Sequence, residues 1–258
     1  MSDQWRESMR RHYVCQRVAR PLDLTTEAMD PGWEELPWSE LFADITGHES
    51  LQPRYGTRVR MGWDDHYLYV NAELEEPHVW GTITEKNAVM FEDNDFEIFI
   101  DPDCDGCNYY EFEINALGTI WELSLPRPYS EGGKPRLGCN IDGLLSRVRV
   151  AGTLNNPGDT DQGWTVEVAI PWSGLKQYQS SGACPPQPGE RWRINFSRVQ
   201  WRHQVVDGQY VRIPPHGTPL AESLNPEEQE HPEDNWVWSP QGAVNMHIPE
   251  RWGEVLFE

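Results

Sequence analysis

The sequence predicts an all-β protein: a two-layer β-sandwich, immunoglobulin-like or jelly-roll-like, with one short accessory helix. Three observations predict this. Segments that alternate apolar and polar residues far outnumber helical ones, clusters of Gly, Pro, Asn and Asp separate them, and a single short stretch reads as helix. A chain of 258 residues can bury one large core. No repeat or linker divides it, so residues 1–20 read as an N-terminal extension and 21–258 as one domain.

The elements follow in order. Asp30-Pro31-Gly32-Trp33 and Leu36-Pro37-Trp38 read as turns laid against a core. Arg58 to Trp63 and Tyr67 to Glu73 flank Asp64-Asp65-His66 as a hairpin. The most informative stretch is Met90 to Asn115. In its first half Phe96, Ile98 and Ile100 share one face, with Asp95, Glu97 and Phe99 on the other. In its second half Phe112 and Ile114 alternate with Glu111, Glu113 and Asn115. If the two apolar rows share a core, then Glu97, Glu113 and Asn115 lie together on the opposite surface, either solvated or facing a ligand.

Gly118 to Leu125 supplies a third strand. Pro126 to Gly143 is a long loop of the kind that builds one wall of a site. Arg147 to Leu154 and Trp164 to Ile170 form a further pair. Pro171-Trp172-Ser173 starts the short helix, running through Tyr178, because proline is tolerated where an amide has no helical acceptor. Trp192 to Ser197 alternate again and continue toward Trp201. Residues 214 to 235, rich in Pro, Glu and His, read as an exposed excursion. Trp236 to Pro240 and Trp252 to Phe257 read as edge or closing strands.

Carboxylates outnumber Lys plus Arg by 42 to 21, giving a formal net charge of -21. That argues against nucleic acid or anionic lipid as partner, since both demand concentrated positive charge. The thirteen Trp residues are mostly core material, and a few placed on a groove would suit the flat apolar face of a sugar ring. Residues 1–20 contain arginines but no apolar signal region, and no segment is long and apolar enough to span a bilayer. The expectation is a soluble protein without membrane insertion, cytoplasmic as the sequence stands or secreted if a leader has been removed. Cys104 and Cys107 form a lone C-x-x-C, which is half of a four-thiolate zinc site. Free thiols, a local disulfide and metal or redox use all stay open.

Asp101-Pro102-Asp103-Cys104-Asp105-Gly106 supplies the D-x-D-x-D-G opening of a calcium loop, with Asp101, Asp103 and Asp105 as ligands of a structural Ca²⁺. An EF-hand would carry a bidentate Glu where Phe112 stands, and strands rather than helices flank the turn, so a bare acidic turn is the alternative. Glu97 and Glu113 fit three roles: a glycosidase acid/base pair, acceptors for sugar hydroxyls, or a solvated face. Arg193, Asn195, Ser197 and Arg198 could add donors to that face, or Arg could bridge to Glu111 or Glu113. His48, His66, His78, His203, His216, His231 and His247 show no zinc spacing. No Gly-x-Gly-x-x-Gly or G-x-S-x-G motif is present.

The order of several segments resembles the family 9 carbohydrate-binding modules and their DOMON-like relatives. They are VRMGWDDHYLYVNAEL at 59 to 74, DNDFEIFIDPD at 93 to 103, YYEFEIN at 109 to 115, GWTVEVAIPWSGL at 163 to 175, and the terminal WSPQG and IPERWGEVLF. The resemblance implies a sandwich, sugar binding at a concave site and structural Ca²⁺. It places the family's two clamping aromatics at Phe91 and near Met246, its ligand-contacting glutamate at Glu97, a family arginine at Glu113 and a family glutamine near Ser197. Phe stacks on sugar, whereas Met adapts without being an aromatic platform. Trp80, Trp121, Trp201 and Trp238 are candidates to rebuild the pocket, provided they are exposed.

The leading expectation is noncatalytic carbohydrate binding through an aromatic-lined, carboxylate-containing face. Its residues are Phe91, Glu97, Glu113, Asn115, Ser197, Arg198, Trp201 and Met246. The alternatives are a glycoside-modifying enzyme using Glu97 and Glu113, and a protein-interaction module presenting exposed Trp to an unknown partner.

Overall fold

The computed structural model describes residues 9–213 and 233–258. It is an all-β, jelly-roll-like sandwich with one short accessory helix, as the sequence predicts. The strands are β1 (His12–Arg17), β2 (Ala43–Asp44), β3 (Thr57–Trp63), β4 (Tyr67–Glu75), β5 (Asp95–Asp101), β6 (Tyr109–Asn115), β7 (Ile120–Leu125), β8 (Arg136–Leu137), β9 (Leu145–Ala151), β10 (Gly163–Pro171), β11 (Arg191–Gln200), β12 (His203–Val206), β13 (Gln209–Arg212), β14 (Asp234–Val237) and β15 (Gly253–Phe257). The helix is Trp172–Leu175, tightened into a 3-10 turn over Lys176–Tyr178.

The front layer runs β8-β7-β6-β5-β11-β15-β1, with β14 pairing β11 and β2; the back layer runs β3-β4-β10-β9. Strand β1 joins them. Its first residues pair in parallel with β15, His12 to Glu254 through Cys15 to Phe257, while Gln16 and Arg17 pair with Gly62 and Trp63 of β3. The stretch 1–20 is therefore not wholly an appendage, because residues 12–17 belong to both sheets. Of the two readings of Trp252 to Phe257, the closing strand holds and the edge strand does not, since β15 is hydrogen-bonded to β11 on one side and β1 on the other. Residues 214–232 of the expected excursion lie outside the described residues, and the excursion's end forms β14.

Period-two alternation builds the core between the layers. Phe96, Ile98, Ile100, Tyr110, Phe112 and Ile114 point inward to meet Val59, Met61, Val70, Val166 and Val168, all fully buried. Each such side chain contributes roughly 1.5–3 kcal/mol by leaving water. The outer face of the front layer behaves differently. Every residue of β5 and β6 is buried, so the half-buried pattern of the sequence becomes a strand pair covered on both faces. The cover is a second apolar cluster in which Ile45, Met90, Met246 and Trp252 pack over Phe99, Tyr109, Trp121 and Leu123. Asn195 holds the C-terminal part of this roof with a reciprocal pair of 2.9 Å hydrogen bonds to the Ser239 backbone.

Candidate functional site

The strand registers place the acidic side chains in rows across the roofed face. Glu97 of β5 is opposite Glu113 of β6 and opposite Ser197 of β11, and Glu113 is in turn opposite Trp121 of β7. In neighbouring rows, Asp95 lies opposite Asn115, and Phe99 lies opposite Glu111. Since one face collects i, i+2 and i+4, Asp95, Glu97, Glu111 and Glu113 form one patch. The expectation of a shared face holds. Of its two readings, solvated or facing a ligand, the solvated one does not, because Glu97 is 6% exposed and the other three less.

Burial raises all four carboxyls above the ordinary range. Glu97 is pushed up to about 7 by loss of water. Asp95, Glu111 and Glu113 rise well above their usual values, first through burial and then through the charge on Glu97 and, for Glu113, on its other acidic neighbours. No Lys or Arg forms an ion pair with any of them among the described residues. Both carboxylate oxygens of Asp95, and Oε2 of Glu111 and of Glu113, are buried without a hydrogen-bond partner. Ser197 stands directly across from Glu97, where its hydroxyl favours the ionised carboxylate, and the buried Trp121 Nε1 has no hydrogen-bond partner.

Asn115 shares the face, but its amide is committed elsewhere. Its Nδ2 donates to Asp93 Oδ2 and to the Ile83 carbonyl, both at 2.9 Å, and its Oδ1 accepts from the amides of Leu117 and Thr119. Those bonds shape the β6–β7 turn.

Arg198 does not join the face. It follows Ser197 by one residue on β11, so it points into the sandwich, opposite Phe96 and Trp236. There its guanidinium is fully buried, donating to Glu76 Oε2 at 2.8 Å, to Gln200 Oε1 and to Thr57 Oγ1. Period-two alternation is the physical reason that Ser197 and Arg198 cannot serve one surface. The anticipated bridge from an arginine to Glu111 or Glu113 is also absent among the described residues, and Arg193 instead donates to the Pro249 carbonyl.

The tryptophan candidates are corrected as well. Eleven of the thirteen Trp residues are buried, including Trp80, Trp201 and Trp238 at 2%, 4% and 0% exposure. Trp201 acts from beneath: its indole donates to the Phe91 carbonyl at 2.9 Å while Arg212 lies over its ring. Met246 is buried in the roof, where its carbonyl accepts from Trp252 Nε1 at 2.7 Å. Phe91 is different. It is 45% exposed, with its ring 6.3 Å from that of Trp121.

The sequence did not single out Tyr129. It lies on the long loop after β7, is 44% exposed, and stands edge-on to His247 at 4.5 Å. That histidine packs in turn on Phe99 and Tyr109, and Phe99 pairs with Glu111, so Tyr129 adjoins the roofed face that carries the acidic rows. Phe91, against the Trp121 that pairs with Glu113, and Tyr129, against the His247 that packs on Phe99, are thus two exposed rings joined to the roofed face.

The acidic turn after β5 forms a second carboxylate group. Asp101, Asp103 and Asp105 bring one oxygen each within 4.8 Å of one another, as metal chelation requires. Asp101 Oδ2 accepts from the Gly106 amide at 3.0 Å, Asp103 Oδ2 from the Ser180 amide at 2.8 Å, and Asp105 Oδ1 from the Cys107 amide at 2.7 Å. That leaves Oδ1 of Asp101 and of Asp103 buried and unpaired, which suits a cation. Burial, reinforced by Asp103 and Asp105, pushes Asp101 up to about 7. All five cysteines are free, so Cys104 and Cys107 form no disulfide across this turn.

Comparison with known proteins matches residues 26–185 to the carbohydrate family 9 binding domain-like family. The chain belongs to that family. Among curated relatives, endo-1,4-beta-xylanase A of Thermotoga maritima is 28% identical over 132 residues, covering 49% of this chain and 10% of the relative. Endo-1,4-beta-xylanase C of Paenibacillus barcinonensis is 26% identical over 151 residues, covering 58% and 12%. The matched region thus spans about a tenth of the length of these relatives. A family 9 carbohydrate-binding module of Caldicellulosiruptor kristjanssonii, solved with cellotriose, superposes with a TM-score of 0.56 at 14% identity, covering 96% of this chain and 94% of that one. A structure from Bacteroides uniformis superposes at 0.61 with 16% identity, covering 96% and 100%. At these identities the superpositions establish the shared fold.

Proposed function

We propose that this family 9-like domain is a noncatalytic saccharide-binding module, with its ligand lying across Phe91 and Tyr129 and its hydroxyls read by Glu97. The observation that carries this is the pair of exposed rings joined through Trp121 and His247 to the sheet face that holds the buried carboxylates, while nearly all Trp residues are consumed by packing. A saccharide presents both an apolar ring face and a rim of hydroxyls, so it needs this combination of aromatic platform and polar edge. Tyr129 takes the second-platform role that the family pattern assigns near Met246. The names of the relatives point to β-1,4-linked gluco- or xylo-oligosaccharides as the ligand class.

The geometry favours binding over hydrolysis. A retaining glycosidase separates its carboxyls by about 5–5.5 Å and an inverting one by more, with the sugar between them. Glu97 and Glu113 bring one oxygen each within 4.8 Å of the other and are only 6% and 2% exposed, which gives a scissile bond little access to the pair. An interaction module using exposed indoles finds little support, because the described Trp residues are buried apart from the half-buried Trp38. At Asp101, Asp103 and Asp105 the proposed ion is a structural Ca²⁺, which would fix the β5–β6 turn.

Isothermal titration with cellotriose and xylotriose tests the proposal. Saturable binding that is weakened in both Phe91→Ala and Tyr129→Ala supports it. Absence of binding to folded protein in calcium-containing buffer overturns it.

A further inference from the structure

A second carboxylate group lies apart from the acidic turn and has a different character. One oxygen from each of Asp95, Glu97 and Glu113 lies within 4.8 Å of the other two. Two oxygens coordinated across a calcium ion at about 2.4 Å each are about 4.8 Å apart, so these three can reach one ion without rearranging the strands. The three alternate along two paired strands, so the sheet itself holds the donors in place.

Acidic residues alone would not define a site, since clusters occur without ions. Here the surroundings lack the partners that an empty cluster would need. Asp95 is fully buried with neither oxygen in a hydrogen bond, Glu113 and Glu111 each leave an oxygen unpaired, and the buried Ser197 faces Glu97 from β11. A buried polar atom without a partner costs ~1–3 kcal/mol, and a charge more. Three carboxyls therefore converge, with Glu111 in the next row and Ser197 across from Glu97, where no Lys or Arg among the described residues pairs with them. A bound ion would give Asp95, Glu97 and Glu113 the shared partner that the protein does not supply.

We propose that Asp95, Glu97 and Glu113, with Glu111 and Ser197 beside them, hold a hard divalent cation beneath the face bordered by Phe91 and Tyr129. All the donors are oxygens, with no thiolate or imidazole among them, which selects calcium, manganese or magnesium over zinc or copper. Calcium fits best because it accepts irregular carboxylate sets, whereas magnesium keeps its water in a strict octahedron. The ion would neutralise the floor of the ligand face, so the saccharide affinity proposed above would require it. That last step alone rests on the saccharide reading.

Equilibrium dialysis of the chelator-treated full chain against calcium chloride, with bound calcium counted per chain, tests the site. Asp103→Asn isolates it from the acidic turn. The expected result is that Asp103→Asn retains one ion, which is lost when Glu113→Gln is added, and that Glu113→Gln alone binds one ion fewer than the parent protein. Glu113→Gln removes a buried charge and should remain folded, which circular dichroism checks. Asp95→Asn provides the second variant. Equal calcium counts with and without Glu113→Gln, or no ion bound by Asp103→Asn, would overturn the proposal and indicate that the carboxyls are held protonated instead. A chain that binds this ion yet shows no saccharide affinity would refute the proposed function and leave the cation site standing.

Discussion

Glu97 on β5 stands directly opposite Glu113 on β6, both on the roofed face of the front sheet. Two carboxyls directly opposite on paired strands cannot both ionise without destabilising the pairing. Here neither is relieved by solvent or by a protein cation among the described residues, so the pair either holds protons or is maintained at a cost to the fold. That cost is expected of a binding site and has no explanation as packing.

Replacing Glu97 therefore changes stability in a pH-dependent way. Its folded value of about 7 lies above the unfolded value, so without metal the folded state binds the extra proton between roughly pH 4.5 and 7. That contribution is full below the unfolded value and lost as pH rises through the window. Asp95, Glu111 and Glu113 face the same group and are raised in the same direction. In chelator, Glu97→Gln should gain stability relative to the parent as pH rises from 5 to 7.5, by on the order of 2–3 kcal/mol. Urea unfolding of both proteins across that range checks it, and a flat difference would contradict the burial argument.

Arg198 supports the fold from inside the sandwich. Its buried guanidinium pairs with the buried Glu76 at 2.8 Å, and removing one member of such a pair leaves the other charge stranded. Arg198→Ala should cost about 3–5 kcal/mol in urea unfolding. Saccharide affinity of the protein that remains folded should be unchanged by calorimetry.

Phe91 and Tyr129 should show the opposite pattern. Both are exposed, so truncation to alanine should alter stability by less than about 0.5–1 kcal/mol. Loss of ring stacking should weaken saccharide binding by roughly tenfold each. Comparison of melting and titration data separates the two effects.

His247 should remain neutral in mildly acidic buffer. Burial lowers its value to about 3, and Nδ1 is bonded to the Tyr109 hydroxyl at 3.0 Å. For a base depressed in this way, stability is complete above the unfolded value near 6.5 and falls as pH drops below it. An NMR titration of the ring should show no protonation midpoint between pH 5 and 7.

Local periodicity accounts for most of what the sequence reveals here. Alternation in 95–101 and 109–115 was enough to put Glu97 and Glu113 on one face, and the same rule, applied one residue further along β11, separates Ser197 from Arg198. Asp95 and Glu111 were legible by that parity too. Asp207-Gly208, a two-residue turn with both residues at positive φ, marked the β12–β13 hairpin in plain sight. The roof was not legible. Ile45, Met90, Met246 and Trp252 meet over β5 only because distant segments converge, and no local pattern specifies that. Tyr129 was hidden for the same reason, since a loop residue's place is set by what the loop packs on. Strand β1 was obscured by the arginines around it, its inward residues being only Tyr13 and Cys15.

The most direct test is an amide and indole NMR titration of the calcium-loaded chain with cellotriose, because it locates the ligand as well as detecting it. The account predicts saturable shifts centred on Phe91, Glu97, Tyr129 and the unpaired indole N–H of Trp121, which lies between Phe91 and Glu113. Shifts confined to another surface, such as the groove beside Trp38, or no shifts at saturating saccharide, would contradict it.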